Sequence, residues 1–174
     1  MNKALDKARF PGLMQAGLIG RLKLRNRIVM LPMGVAYGSL SGEVTRKTID
    51  YYGARAKGGV GLIVIGGCTI DETSGATNML SIRDDRFVPG LATLARVLKE
   101  QGAKVAVQLF HAGRYARSQD MGGRQPVSSS PLPSRITREI PLELSLVAIK
   151  AIQKDYARAA ARVKQAGFDA TGLR

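Results

Sequence analysis

The sequence offers little with which to hold a metal or close a covalent loop. Across 174 residues there is one cysteine, Cys68, and one histidine, His111. A lone cysteine excludes an internal disulfide. One cysteine and one histidine also exclude a four-ligand zinc site or a cysteine-ligated iron–sulfur cluster built by this chain alone. No metal site is therefore expected. No apolar run approaches the roughly 18 residues needed to span a bilayer, and the opening MNKALDKARF lacks the apolar centre of a secretory signal. The expectation is a cytoplasmic protein with no membrane partner.

Acidic residues are scarce as well: 13 Asp and Glu face 27 Lys and Arg, for a net charge of +14. The excess is uneven. Residues 1–58 carry 11 basic against 3 acidic side chains, residues 59–110 carry 5 of each, and residues 111–174 carry 11 against 5. A basic surface attracts polyanions through counterion release. These charges are scattered over expected helices and loops, without zinc-finger spacing, an aromatic RNA-binding motif or a basic heptad region. A solvated basic surface is favoured over nucleic-acid binding. A non-catalytic basic module that binds nucleic acid or another polyanion is the competing reading.

What is present is ordinary globular composition, 45% apolar and 23% charged, and enough length for one domain with a core. Leu18–Leu24 alternates around Gly20-Arg21 and predicts a β-hairpin. Ile28–Leu31 is a continuous apolar run ended by Pro32, as expected of a strand covered on both faces. Residues 44–58 predict a helix with Ile49, Tyr52 and Ala56 on one face. Val60–Ile65 predicts a second strand ended by Gly66-Gly67, with Cys68 beyond it as a partly buried, inert thiol. Leu91, Leu94, Ala95 and Leu98 keep helical spacing up to Gly102. Val105–Phe110 predicts a third strand. Residues 112–141 have no period, and a loop of that length is commonly functional or mobile. Ser145 predicts the cap of a helix to about Ala166, with Leu146, Ile149, Ile152, Tyr156, Ala160 and Val163 on its apolar face. Phe168-Asp169-Ala170 opens a fourth strand. Buried strands alternating with amphipathic helices indicate a parallel α/β fold. Spacing does not separate a barrel from an open sheet.

Five strings, in order, resemble the NADH:flavin oxidoreductase family, which includes old yellow enzymes and dienoyl-CoA reductases. They are Leu24-Arg25-Asn26-Arg27-Ile28-Val29-Met30, Pro32-Met33, Gly59-Val60-Gly61-Leu62-Ile63, Gln108-Leu109-Phe110-His111-Ala112-Gly113-Arg114 and Ala166-Gly167-Phe168-Asp169. Each is weak alone; the ordered set covers nearly the whole chain. The resemblance implies the N-terminal half of a (β/α)8 TIM barrel with an N-terminal β-hairpin. Residues 1–174 would form a single partial barrel domain of hairpin, three βα units and the start of a fourth strand. It implies part of an FMN-dependent oxidoreductase that passes hydride from NADH or NADPH through the flavin to an activated alkene or enoyl-type small molecule.

By the same resemblance, Pro32, Met33 and Gly34 form a turn against the flavin ring, Gly66-Gly67 supply the small position under its pyrimidine edge, and Gln108 bonds that edge. A carboxamide both donates and accepts, which matches a uracil-like edge. Bland readings stand beside each: a strand-ending turn, an ordinary βα turn, and a Gln satisfied by nearby backbone. Some relatives carry a redox-tuning cysteine after Pro-Met, where this chain has Gly34. His111 reads as structural, and Arg114 serves either the loop or an anionic substrate group.

In relatives the polarising pair, the proton donor and the FMN phosphate site come from the fourth strand onward, and this sequence departs from the pattern near Ala170. No catalytic residue is therefore assigned. The implied molecule is incomplete, either a truncation or a natural half. It is expected to self-associate or pair with a missing C-terminal half, to retain FMN weakly and not to turn over alone.

Overall fold

The strands of this chain present alternate residues to two faces, and what covers each face decides the architecture. A computed structural model describes residues 9–75 and 77–174. After a short helical turn, α1 (Pro11–Met14), β1 (Gly17–Ile19) and β2 (Leu22–Leu24) pair antiparallel. Their two-residue loop is Gly20-Arg21, and Gly20 sits at φ +57°, where a side chain would be strained. Then follow β3 (Val29–Met30), α2 (Arg46–Lys57), β4 (Leu62–Thr69), β5 (Leu80–Ser81), α3 (Val88–Glu100) and β6 (Lys104–Phe110). The chain continues through β7 (Val127–Ser128), β8 (Leu142–Glu143), α4 (Leu146–Gln165) and β9 (Ala170–Leu173).

The helix starts follow local chemistry. Thr45 caps α2 by accepting from the Thr48 N–H, and Thr48 answers with the reciprocal bond of a capping box. Pro89 lies in the first turn of α3, where its missing N–H costs nothing. The Ser145 hydroxyl accepts from the Ala148 N–H at 3.2 Å to start α4. Leu146, expected on the buried face of α4, is instead 78% exposed, as is its neighbour Val147 at 79%. Ile152 and Tyr156 pack against the core from the middle of that helix, and Ala159 and Val163 are buried within it.

The strands β3, β4, β6 and β9 form a parallel sheet in that order, with β5 added beside the end of β4. Ile63, Ile65, Val105, Val107 and Leu109 are fully buried on one face, in a single cluster with Tyr52, Leu91, Leu94, Leu98 and Val163 from α2, α3 and α4. Leu62 and Ala106 face the other way, onto Leu22 and Leu24 of the hairpin, with Val29 and Val64 beside them. All three long helices thus lie on one face, and strand order follows chain order. A doubly wound sheet would have helices on both faces, whereas a barrel keeps its helices outside and its second face inside. The burial pattern therefore decides for the barrel half where spacing did not.

The N-terminal ends of the strands are tied by polar side chains. The Arg25 guanidinium donates to the carbonyls of Ala56, Val60 and Gln101 at 2.9, 2.9 and 2.7 Å. Asn26 donates to the Gly59 carbonyl at 2.7 Å and accepts from the Ile28 N–H at 3.1 Å. Asp169 accepts from the Val105 N–H at 2.9 Å and pairs with Lys99 and Lys104. Among the described residues no helix is long and apolar enough to cross a membrane.

Two expectations are corrected at β4. It does not stop at Gly66-Gly67 but runs through them to Thr69, with a bulge between Ile65 and Cys68 in its register with β6. Cys68 is fully buried rather than partly so, and burial raises its pKa above the ordinary thiol value. Residues 112–141, aperiodic in sequence, are ordered by scattered pairs. The β7–β8 ladder ties the middle of the loop to the residues just after it, Glu139 accepts from the Ser118 N–H, and Thr137 donates to the Arg114 carbonyl.

Candidate functional site

Parallel strands deliver their C-terminal ends to one rim, and the residues expected at the site all reach it. Pro32, Met33 and Gly34 follow β3 directly. Their turn is pressed onto β4: a Cβ added to Gly66 would lie 1.9 Å from the Met33 carbonyl oxygen and 2.5 Å from its nitrogen. Only glycine allows that approach. The Gly66 N–H donates to the Tyr52 hydroxyl at 3.2 Å, so α2 also holds the bulge. Burial raises the Tyr52 pKa above its ordinary value, which keeps that hydroxyl neutral.

Gly67 adopts φ +42° and is buried, with the Met79 methyl over its Cα and the Phe110 ring near by. Ile65 pairs with Val107 and Cys68 with Leu109, so the two bulged glycines stand opposite Gln108. Gln108 shares the face of Ala106, the barrel interior, because Val107 and Leu109 on either side point into the helix-side core. Its carboxamide has no hydrogen-bond partner among the described residues. Gly34, Gly66, Gly67, Tyr52 and Met79 share the lining of one small cavity at this rim.

Past β6 the rim is braced by His111, which sequence reasoning treated as structural. Its Nδ1 accepts from the Gly113 N–H at 3.0 Å. The ring therefore carries its proton on Nε2, which lies 3.2 Å from the Thr73 hydroxyl and 3.6 Å from Asp71. Thr73 passes the bond on by donating to Asp71 at 2.9 Å. Burial pushes the His111 pKa below its ordinary value, with the Asp71 charge opposing. Tyr52, Met79 and the Thr73–Asp71 pair were not anticipated in the site: Tyr52 lies on a helix, Met79 reaches Gly67 from 12 residues away, and Thr73 meets His111 across 38 residues, beyond any local pattern.

The turn after β3, the bulge of β4 and a half-buried carboxamide without a protein partner among the described residues thus meet at one rim. The model of the NADH:flavin oxidoreductase / NADH oxidase family matches residues 17–172. The chain belongs to this family. It is 50% identical over 151 residues to a metal reductase of Desulforamulus reducens, covering 87% of this chain and 22% of that protein. An NADH oxidase of Thermoanaerobacter brockii is 40% identical over 166 residues, covering 94% and 26%. Among solved structures, morphinone reductase superposes with a TM-score of 0.84 at 28% identity, covering 93% of this chain and 47% of that one. The chain thus spans about a quarter of the curated relatives' length and about half of a solved barrel. For a member of the NADH:flavin oxidoreductase family the rim residues present are compatible with a flat ligand: Gln108 turns a carboxamide without a protein partner among the described residues toward the interior, and a built Cβ at Gly34 meets nothing within 4 Å.

Proposed function

We propose that this chain forms the ring-binding half of an FMN-dependent NAD(P)H oxidoreductase that reduces an activated alkene or similar small molecule. Pro32, Met33, Gly34, Gly67 and Gln108 would line the isoalloxazine, which when bound relays hydride from the nicotinamide to the acceptor. The observation that carries this is Gln108. Its half-buried carboxamide sits on an apolar strand, faces the interior without a protein partner among the described residues, and keeps both donor and acceptor available to a ligand. Gln108 would donate to and accept from the pyrimidine edge. Gly34, with nothing within 4 Å of a built Cβ, leaves the turn open to a flat ring. Gly67 would act from the neighbouring strand, by permitting the bulge that stands opposite Gln108. No proton donor is assigned among these residues. The free edges of β3 and β9 would be joined by the further strands of the barrel, or by a second copy in their absence.

A flavin titration followed by fluorescence tests this. Riboflavin, which lacks the phosphate, should bind the 174-residue chain about as tightly as FMN, because only the ring side is present. Gln108→Leu should weaken both by roughly 5- to 150-fold, corresponding to about 1–3 kcal/mol for a buried hydrogen bond left unmade, while leaving the unfolding midpoint in place. Equal affinity of the variant, or no flavin binding at all, would overturn the proposal.

A further inference from the structure

No acidic residue occurs between Asp6 and Glu43, a stretch that holds the whole hairpin and Arg9, Arg21, Lys23, Arg25 and Arg27. The fold gathers these cations at one end. The hairpin sits where the strands start, beside the carbonyls of Ala56, Val60 and Gln101 to which Arg25 donates. Asp71, Glu72, Asp84 and Asp85 lie between β4 and α3, at the opposite, rim end. The three long helices also finish at the hairpin end, with Lys57, Lys99 and Lys164 in their last turns. A helix C-terminus favours a cation for its own sake, so these lysines decide nothing. The hairpin cations have no such explanation. Arg21 and Lys23 are exposed and pair with no carboxylate among the described residues. Arg27 reaches the Gln15 side chain at 3.5 Å, and Arg9 lies over the Phe10 ring at 5.4 Å.

Apolar side chains stand among these cations. Leu22 and Leu24 turn inward onto the sheet, so Leu18 and Lys23, opposite each other in the ladder, point outward. Leu18 is 72% exposed, Phe10 49% and Leu13 44%. The Leu13 carbonyl accepts from the Arg27 N–H at 2.9 Å, which sets the turn of α1 beside the hairpin. Scattered exposed apolar residues are ordinary on a protein surface. Here each has a cation beside it: Arg9 by Phe10, Arg27 by Leu13 and Lys23 by Leu18. The result is an amphipathic patch.

We propose that this end of the chain docks onto an anionic lipid bilayer, with Phe10, Leu13 and Leu18 at the headgroup–acyl boundary and Arg9, Arg21, Lys23 and Arg27 on the lipid phosphates. Such a surface attracts the cations and takes up the apolar side chains between them. A nucleic acid would satisfy the cations but leave the three apolar side chains in water, and that selects the bilayer. Docking at headgroup depth needs no spanning segment, whose absence was the ground for expecting no membrane partner. Because the strand starts face the lipid, the rim stays turned toward water, and the inference stands apart from the flavin reading.

Co-sedimentation of the whole 174-residue chain with vesicles tests this. Phosphatidylcholine vesicles with about one-third phosphatidylserine should bind it at about 0.1 M salt and more weakly at about 0.5 M, and pure phosphatidylcholine should not bind it. At about fivefold per cation near the surface, Arg21→Gln with Lys23→Gln should weaken binding roughly 25-fold. Leu18→Thr and, outside the ladder, Phe10→Ser should each weaken it at least about threefold. Lys150→Gln with Lys154→Gln removes the same charge from exposed positions on α4 and should leave binding near the wild-type value. Each variant is compared at an unchanged urea midpoint. Equal binding to pure phosphatidylcholine, an equal loss in the α4 variant, or unchanged binding by both apolar variants would overturn the proposal. Unchanged binding by the apolar variants, with duplex DNA binding lost in the hairpin double variant, would assign the patch to nucleic acid instead.

Discussion

Replacing Gly66 with alanine probes whether the turn after β3 is clamped to β4, the contact on which the rim depends. The new Cβ would sit 1.9, 2.4 and 2.5 Å from the Met33 carbonyl oxygen, carbonyl carbon and nitrogen. All three are main-chain atoms just after Pro32, so no side-chain rotation relieves the clash. Overpacking of this kind costs about 1–3 kcal/mol. Displacing Gly66 also strains its bond to the Tyr52 hydroxyl, worth about 0.5–1.5 kcal/mol. Together they predict a loss of about 1.5–4.5 kcal/mol.

Two neighbouring glycines calibrate the result. Gly67→Ala places a side chain at φ +42°, a left-handed conformation costing about 1–2 kcal/mol. Its Cβ would meet only the end of the Met79 side chain, at 2.3 Å, and that thioether is free to swing away. Gly34→Ala meets nothing within 4 Å and should change stability by less than about 0.5 kcal/mol. Urea unfolding followed by circular dichroism should therefore rank the losses Gly66 over Gly67 over Gly34. If Gly66→Ala unfolds with wild-type stability, or Gly34→Ala is as damaging, the clamped turn is wrong. Gly34→Ala has a second use: a variant with intact stability but weaker flavin binding would locate the ligand on that side of the turn.

His111 predicts a pH dependence. Its Nδ1 must be unprotonated to accept from Gly113, and burial holds its folded pKa below the ordinary value of 6.5. Its contribution to stability is full above pH 6.5 and is lost as pH falls from there through the lower folded value; urea midpoints across that interval should fall for the wild type and stay flatter for His111→Ala. Asp169→Ala removes the acceptor of the Val105 N–H and two lysine partners from a largely buried position, and should cost about 1.5–3 kcal/mol. Asp169→Asn should recover part of that, and a urea midpoint equal to wild type for the alanine variant would remove Asp169 as the tie between β6 and β9.

The parts of this fold that sequence revealed are those encoded by a local period. Val105–Phe110 and the Leu91–Leu98 helix were legible because burial on both faces of a strand, or one face of a helix, writes itself into adjacent residues. Gln108 stood out for the same reason, as a polar side chain inside an apolar run. The strand β4 was cut short because Gly66-Gly67 reads as a stop; that the pair is a bulge depends on its register with β6. The chain from Gly113 through His111 and Thr73 to Asp71 joins residues 38 apart, where no spacing rule reaches. The string Leu24–Met30 is one of the five that carried the family resemblance, yet Arg25 and Asn26 spend their donors on carbonyls at the N-terminal ends of the strands, opposite the rim. A motif can thus identify a family through residues that hold the barrel together while taking no part in its chemistry. The side of the sheet on which each helix lies was equally hidden, since a helix has the same amphipathic period whether it crosses above or below. Only the shared burial of Ile63, Val105 and Val107 against all three helices makes the opposite face an interior, and it is that interior into which Gln108 points.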